Sequence, residues 1–197
     1  MTDLILASVS PRRAELLKGL KLEFEIIPSE VEEIQNEHLT ARELCQVNAY
    51  RKARAVSKKF PDTLVIGADT LVALDHKVFG KPKDRADALR MLQELQGRTH
   101  RVVSGICLIH LRTHRQTVFA EQTSVTFRPL SRSQIENYHQ EVNSLDKAGA
   151  YAIQENGDAL VEKISGSFSN VVGLPVERLG IVLSQFRAEV ERARGKI

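Results

Sequence analysis

Asp69 stands in the middle of "TLVIGADTLVAL", residues 63–74, a run otherwise built almost entirely of apolar and β-branched residues. A carboxylate stripped of water in such a run is ion-paired, bound to a metal, or held with a shifted pKa for proton transfer. An Asp hydrogen-bonded to a turn at a strand end is the plainer alternative. Gly67, two residues earlier, permits a bulge or a close approach of backbones. A second oddity is "LASVSPRRAELL", residues 6–17, where Ser10 suits a helix N-cap, Pro11 suits the first helical position, and Arg12 and Arg13 follow. Each cation at a helix N-terminus costs roughly 0.3–1 kcal/mol at an exposed site. An anion gripped by free backbone N–H groups, the Ser8 and Ser10 hydroxyls and the guanidinium forks would resolve the conflict. Splaying into solvent or pairing with carboxylates is the other solution.

Further groups join these two. "SEVEEI" offers Glu30, Glu32 and Glu33 in a loop, where a carboxylate could hold Mg²⁺ or Mn²⁺ through oxygen, although most acidic clusters are only solvated. Lys52 falls between Ala49 and Val56 at helical spacing, on or beside the inward face. Lys81, in "GKPKD", follows the Asp69 strand on a Gly/Pro-marked loop. Gln154, in "DKAGAYAIQENG", carries a donor and an acceptor on one amide, a pair able to match a base edge. Cations for phosphate oxygens, carboxylates for a metal and one buried Asp to activate water together describe a polyphosphate site. The chain contains no GxxxxGK[ST] loop and no GxGxxG after a strand, which disfavours kinase and G-protein chemistry.

The hydropathy pattern indicates which elements position these groups. A buried strand over residues 4–7 leads into a helix from about Pro11 to Leu20, and "FEIIPSEVEEI" is a strand breaking at Pro28 into the acidic loop. Residues 40–59 are helical, with Cys45, Ala49, Ala53, Val56 and Phe60 along one face. After the interior strand at 63–74, "KVFGKPKD" is a connection and "ADALRMLQELQG" a helix stopped by Gly97. "HRVVSGICLIHL" and "TVFAEQTSVTF" form a strand pair turning near residues 112–116. "SRSQIENYHQEV" is a helix capped by Ser131 or Ser133. "AYAIQ" and "ALVEKISG" are short strands, and a Gly-Pro turn precedes a final helix. This order favours an α/β fold with a mixed sheet.

Composition bounds the partners. Of 197 residues, 42% are hydrophobic and 27% charged, the balance of a globular protein with a real core. A net charge of +3 and 5% aromatics without Trp give no platform for nucleic acid. Cys45 and Cys107 form no CxxC pair, which fits a reduced, cytoplasmic setting. The apolar run near the N-terminus is too short for a signal-peptide core, and no stretch approaches the roughly 20 apolar residues of a membrane span.

In sequence order, "LASVSPRR", Glu32-Glu33, Lys52-Ala53, "GADTLV", "GKP", "DKAGAYAIQ" and "NVVGLP" closely resemble the motifs of the Maf family of nucleoside triphosphate pyrophosphatases, from about Leu4 to Leu179. The resemblance implies hydrolysis between the α and β phosphates with a divalent cation, Mg²⁺ or Mn²⁺. It implies Asp69 as proton acceptor and places Ser8, Arg13, Glu33, Lys52 and Lys81 at phosphate- and metal-handling positions, with Glu33 and Asp69 on the metal. Ser10 joins the substrate-binding set. The implied fold is an elongated mixed β-sheet flanked by helices, two lobes with a central cleft, similar to inosine triphosphate pyrophosphatases and often a homodimer. A single domain over 1–197 is expected, with an exposed tail from about 188.

The family's branches differ at three places, here Arg12, Thr70 and Gln154. The branch acting on dTTP and UTP carries Arg, Thr and Gln, whereas the branch acting on 7-methyl-GTP carries an aromatic, Gln and Glu; the sequence agrees with the first at all three. Uracil and thymine present an N3–H donor beside a carbonyl, which one Gln amide complements and a carboxylate does not. Modified pyrimidine nucleotides are further expected substrates. The competing reading is a non-catalytic nucleotide- or nucleic-acid-binding regulator of cell division and septum formation, against which the intact Asp69, Glu33, Lys52 and Lys81 set weighs.

Overall fold

A computed structural model describes residues 3–195. The elements run β1 (Leu4–Ala7), α1 (Pro11–Lys18), β2 (Glu25–Ile26), α2 (Ala41–Ser57), β3 (Leu64–Leu74), β4 (Lys77–Phe79), α3 (Arg85–Leu95), β5 (Thr99–His110), β6 (Arg115–Phe127), α4 (Arg132–Glu141), α5 (Gly157–Leu160), β7 (Val161–Ser165), α6 (Phe168–Val172) and α7 (Val176–Arg194). The strands form one mixed sheet in the order β2-β1-β3-β5-β6-β7, with β4 beside β3. β1 is parallel to β2 and to β3, in a register that sets Ala7 opposite Gly67, while β3–β4 and β6–β7 are antiparallel. The expected α/β fold with a mixed sheet and flanking helices is therefore present.

The chain divides into two compact units, the first holding the described residues up to Asp69, Ser104–Glu121 and those from Gly173 onward, the second Thr70–Val103 and Gln122–Val172. Within the first, the period-2 alternation of a strand produces two cores. Leu4, Leu6, Leu64 and Ile66 face α1 and α7, while Ile5, Ala7 and Val65 face Ala49, Ala53 and Val56 of α2. Helix α2 lies directly on the strands. A Cβ added at Gly67 would sit 2.2 Å from the Ala49 carbonyl oxygen, and one at Gly105 would sit 2.4 Å from that of Cys45. The expected close backbone approach at Gly67 is thus realised as helix on strand.

In the second unit, α3 and α4 supply Met91, Leu92, Leu95 and Ile135 to a core with Val102 and Phe127. His100 is buried there edge-on to Phe127 and Tyr151, at ring centroid separations of 4.7 and 5.4 Å, and its Nε2 lies 2.8 Å from the Tyr151 hydroxyl. Burial lowers its pKa to about 4. In the unfolded chain the imidazole takes up a proton near pH 6.5, so the unfolded state binds more protons between about pH 6.5 and 4 and stability falls as pH drops through that window. Urea unfolding at pH 7 and pH 5 should show a loss of about 2 kcal/mol from this residue, removed in His100→Asn; an unchanged difference in the variant would contradict it.

Several local expectations need correction. "AYAIQ" is not a strand, since the chain enters it through positive φ at Gly149 and Ala150 and then turns. "KVFGKPKD" contains β4, and the first three residues of "NVVGLP" form the end of the short helix α6. Ser131, not Ser133, caps α4, in a capping box with Gln134. The stretch from 188, expected as an exposed helix end, is helical to Arg194 and largely exposed, the exception being Val190, which is seated in the core; residues 196–197 lie outside the described residues. No helix among the described residues is long and apolar enough to cross a membrane.

Candidate active site

Helix α2 starts from a capping box, in which the Thr40 hydroxyl accepts from the Glu43 N–H and the Glu43 carboxylate accepts from the Thr40 N–H. Three turns on, the close seat on Gly67 delivers two polar side chains of α2 to Asp69. Lys52 donates to Asp69 Oδ1 at 2.8 Å and to Glu33 Oε1 at 2.6 Å, so one ammonium bridges both carboxylates. Asn48 donates to Asp69 Oδ2 at 3.3 Å and to the Ile34 carbonyl at 3.2 Å, and its Oδ1 accepts from the Ile34 N–H at 2.8 Å. The Glu33 loop, which has no regular structure of its own, is thereby pinned beside β3.

The two carboxylates are unlike. Asp69 is 3% exposed, whereas the Glu33 side chain is 40% exposed. Burial raises the Asp69 pKa and the neighbouring Glu33 raises it further, opposed by Lys52 and Arg13. Asp69 thus has an enhanced proton affinity, while Lys52 and Arg13 favour its charged form, a balance suited to accepting a proton.

Arg13 projects from the first turn of α1. Its Nε donates to the Gly173 carbonyl at 3.0 Å and its Nη1 to the Ser8 hydroxyl at 3.3 Å, which orients the guanidinium from two sides. Burial lowers its pKa, and the charges of Asp69 and Glu33 work in the opposite direction. Ser8 is buried and its hydroxyl also accepts from the Ser10 N–H at 3.2 Å. Ser10 occupies the N-cap position without a side-chain cap bond, contrary to the expectation from its residue type. The first turn is instead organised by Ser8.

Ser8, Arg13, Glu33, Lys52 and Asp69 thus come together in the first unit, with Arg12 half-buried beside them in the chain. Thr70 directly follows Asp69 in β3 and is half-buried; Lys81 is exposed after β4, and Gln154 is exposed on the turn before α5. Lys81 and Gln154 belong to the second unit and take no part in the network just described. Two contributors were missed. Asn48 was legible as a polar residue one turn before Lys52 on the same helix face. Gly173 lies in the quoted motif "NVVGLP", but its role as the carbonyl partner of Arg13, 160 residues away in sequence, carried no local signal.

The described residues contain no cluster of three or more His, Cys, Asp or Glu able to hold a metal. The donor set that exists, two carboxylates converging on one cation, suits a hard ion such as Mg²⁺ or Mn²⁺ that takes its remaining oxygens from phosphate and water, rather than a Cys/His-bound metal.

A family model described as Maf-like protein matches residues 3–186. The chain is 47% identical to a dTTP/UTP pyrophosphatase of Alkaliphilus oremlandii (strain OhILAs) over 184 residues, covering 93% of this chain and 95% of that protein. It is 46% identical to one of Acetivibrio thermocellus, covering 96% and 98%, and 44% identical to one of Clostridioides difficile (strain 630), covering 93% and 95%.

Proposed function

The chain belongs to the Maf-like protein family, and from that premise we propose that it hydrolyses dTTP and UTP, and modified pyrimidine nucleotides with them, to the nucleoside monophosphate and pyrophosphate. The observation that carries the chemistry is the Lys52 bridge between buried Asp69 and exposed Glu33. The substrate class is supported by the shared name of the three relatives and by Arg12, Thr70 and Gln154.

In this reading Asp69 accepts a proton from the water that attacks the α-phosphorus. The bond from that phosphorus to the bridging oxygen of the β-phosphate breaks in line, and pyrophosphate leaves. Lys52 keeps Asp69 ionised and, with Arg13 and Lys81, neutralises phosphate oxygens as charge moves to the leaving group. Ser8 and Ser10 add hydroxyl contacts to phosphate. Glu33 and Asp69 would hold Mg²⁺ or Mn²⁺, which when bound supplies charge neutralisation on the triphosphate. Arg12, Thr70 and Gln154 read the base, with the Gln154 amide complementing the N3–H and adjacent carbonyl of uracil or thymine. The family match spans both compact units, which supports one functional domain over 1–197, and the buried free thiols of Cys45 and Cys107 suit a cytoplasmic enzyme. A homodimer completes the proposal.

The test is pyrophosphate release from UTP, dTTP and 7-methyl-GTP with Mg²⁺ or Mn²⁺, alongside binding of a short DNA. Release from UTP and dTTP should exceed that from 7-methyl-GTP by about 10⁴-fold, the range a site built to hydrogen-bond its substrate achieves against a mismatched partner. Orthophosphate as the product, or DNA binding with no pyrophosphate from any nucleotide, would overturn it.

A further inference from the structure

We propose that Tyr138 is a positioning residue for base recognition, whose hydroxyl holds both backbone polar groups of Ala152 and so fixes the turn that presents Gln154. This rests on the reading of Gln154 as a contact to the base. The Ala152 N–H donates to the Tyr138 hydroxyl at 3.0 Å, and the hydroxyl donates to the Ala152 carbonyl at 3.3 Å. The same carbonyl accepts from the Glu155 N–H at 3.3 Å, closing a four-residue turn in which Gln154 is the third residue. The anchor therefore acts on the first residue of the turn, and Gln154 is exposed two residues on.

This segment needs anchors because no strand ladder holds it. It is entered through φ of 70° at Gly149 and 62° at Ala150 and left through 55° at Asn156. Two further ties flank the one from Tyr138. Tyr151 is hydrogen-bonded to His100, and the buried Lys147 ammonium donates to Asp146 at 2.9 Å and lies 3.3 Å from the Glu155 carboxylate. Tyr138 itself is 2% exposed, and burial pushes its phenol up to about 12, so the hydroxyl keeps the proton it donates. Holding the turn matters for selectivity. A carboxamide complements uracil in one orientation and cytosine in the flipped one, so choosing between them requires a fixed approach as well as the right side chain.

The experiment measures kcat and KM for UTP and CTP in the wild type, Tyr138→Phe, Gln154→Ala and the double variant, after thermal melts confirm folding. Tyr138→Phe should lower the UTP-over-CTP ratio of kcat/KM by about fivefold to tenfold, mainly through KM for UTP, with kcat within about twofold. In the Gln154→Ala background it should add nothing further to that ratio. An unchanged ratio, with activity on both nucleotides lowered equally, is the result of a merely structural tyrosine and overturns the proposal. An equal loss of ratio in the Gln154→Ala background also overturns it. If Gln154→Ala alone leaves the ratio intact, the reading of Gln154 fails and takes the proposal with it. Should Tyr138→Phe not fold, His100→Asn, which releases the neighbouring Tyr151, enters the same cycle with an expected loss of about threefold.

Discussion

Asp69→Asn is expected to cut pyrophosphate release from UTP by about 10³-fold or more while leaving a folded protein. The amide is isosteric and keeps an oxygen for Lys52; its NH2 group loses the acceptor for Asn48, while the apolar packing and the Gly67 contact that seat α2 on β3 survive. What it loses is the acceptor for the water proton. Its effect on stability has a sign that separates it from simple damage. Burial raises the Asp69 pKa, so the folded state holds this proton more tightly than the unfolded chain does, and ionisation at neutral pH costs folding free energy. Removing the charge should leave the melting temperature equal or higher. Turnover above about a tenth of wild type, outside the range for loss of a general base, would remove Asp69 from that role; a lowered melting temperature would show that its negative charge is needed to hold Lys52.

The second large effect is expected at Gly67→Ala. The added methyl would meet the Ala49 carbonyl oxygen at 2.2 Å and the Ala53 nitrogen at 2.7 Å, both of them helix backbone that cannot swing aside like a side chain. Overpacking of this kind costs about 2–3 kcal/mol. Because α2 also carries Asn48 and Lys52, relief by lifting the helix draws both away from Asp69, so the protein that still folds should turn over more slowly. Gly180→Ala is the matched control, since a Cβ there meets only Leu20 at an ordinary 3.7 Å within α7. Alanine should stabilise that helix by about 1 kcal/mol. Urea midpoints and specific activities of the two variants decide the matter. A Gly67→Ala protein as stable and active as wild type would show that α2 is not held by this contact.

Much of the site was legible where chemistry conflicts with local surroundings. Asp69 in an apolar strand, Lys52 on the inward face of a helix and Arg13 at a helix start each break a local preference, and the structure resolves all three by bringing them near one another. The 3.6 periodicity located α2 because one side of that helix is buried, and β3 stood out as an unbroken apolar run because both of its faces are buried. What escaped was decided by partners remote in sequence. "AYAIQ" is a short apolar run like that of a buried strand, yet the Tyr138 hydroxyl, 14 residues before Ala152, takes both backbone polar groups of Ala152 where the chain turns. Ser10 has the ideal residue type for a cap and stands at the N-cap position, yet its hydroxyl makes no cap bond, and the Ser8 hydroxyl two residues earlier accepts from its N–H. Asn48 could be seen on the helix face; that it clasps Ile34 could not, because the loop at Ile34 has no pattern of its own.

The seat of α2 on Gly67 and Gly105 also bears on how such a protein can change over generations. At these two points main chain is pressed to main chain with no side chain between them whose size could be adjusted, so the spacing between the Lys52 ammonium and the Asp69 carboxylate is set locally rather than by drift elsewhere in the interior. Mutational variation can reshape peripheral loops and the choice of nucleotide while the reacting geometry is inherited unchanged, and the two glycines are where that inheritance is most easily broken.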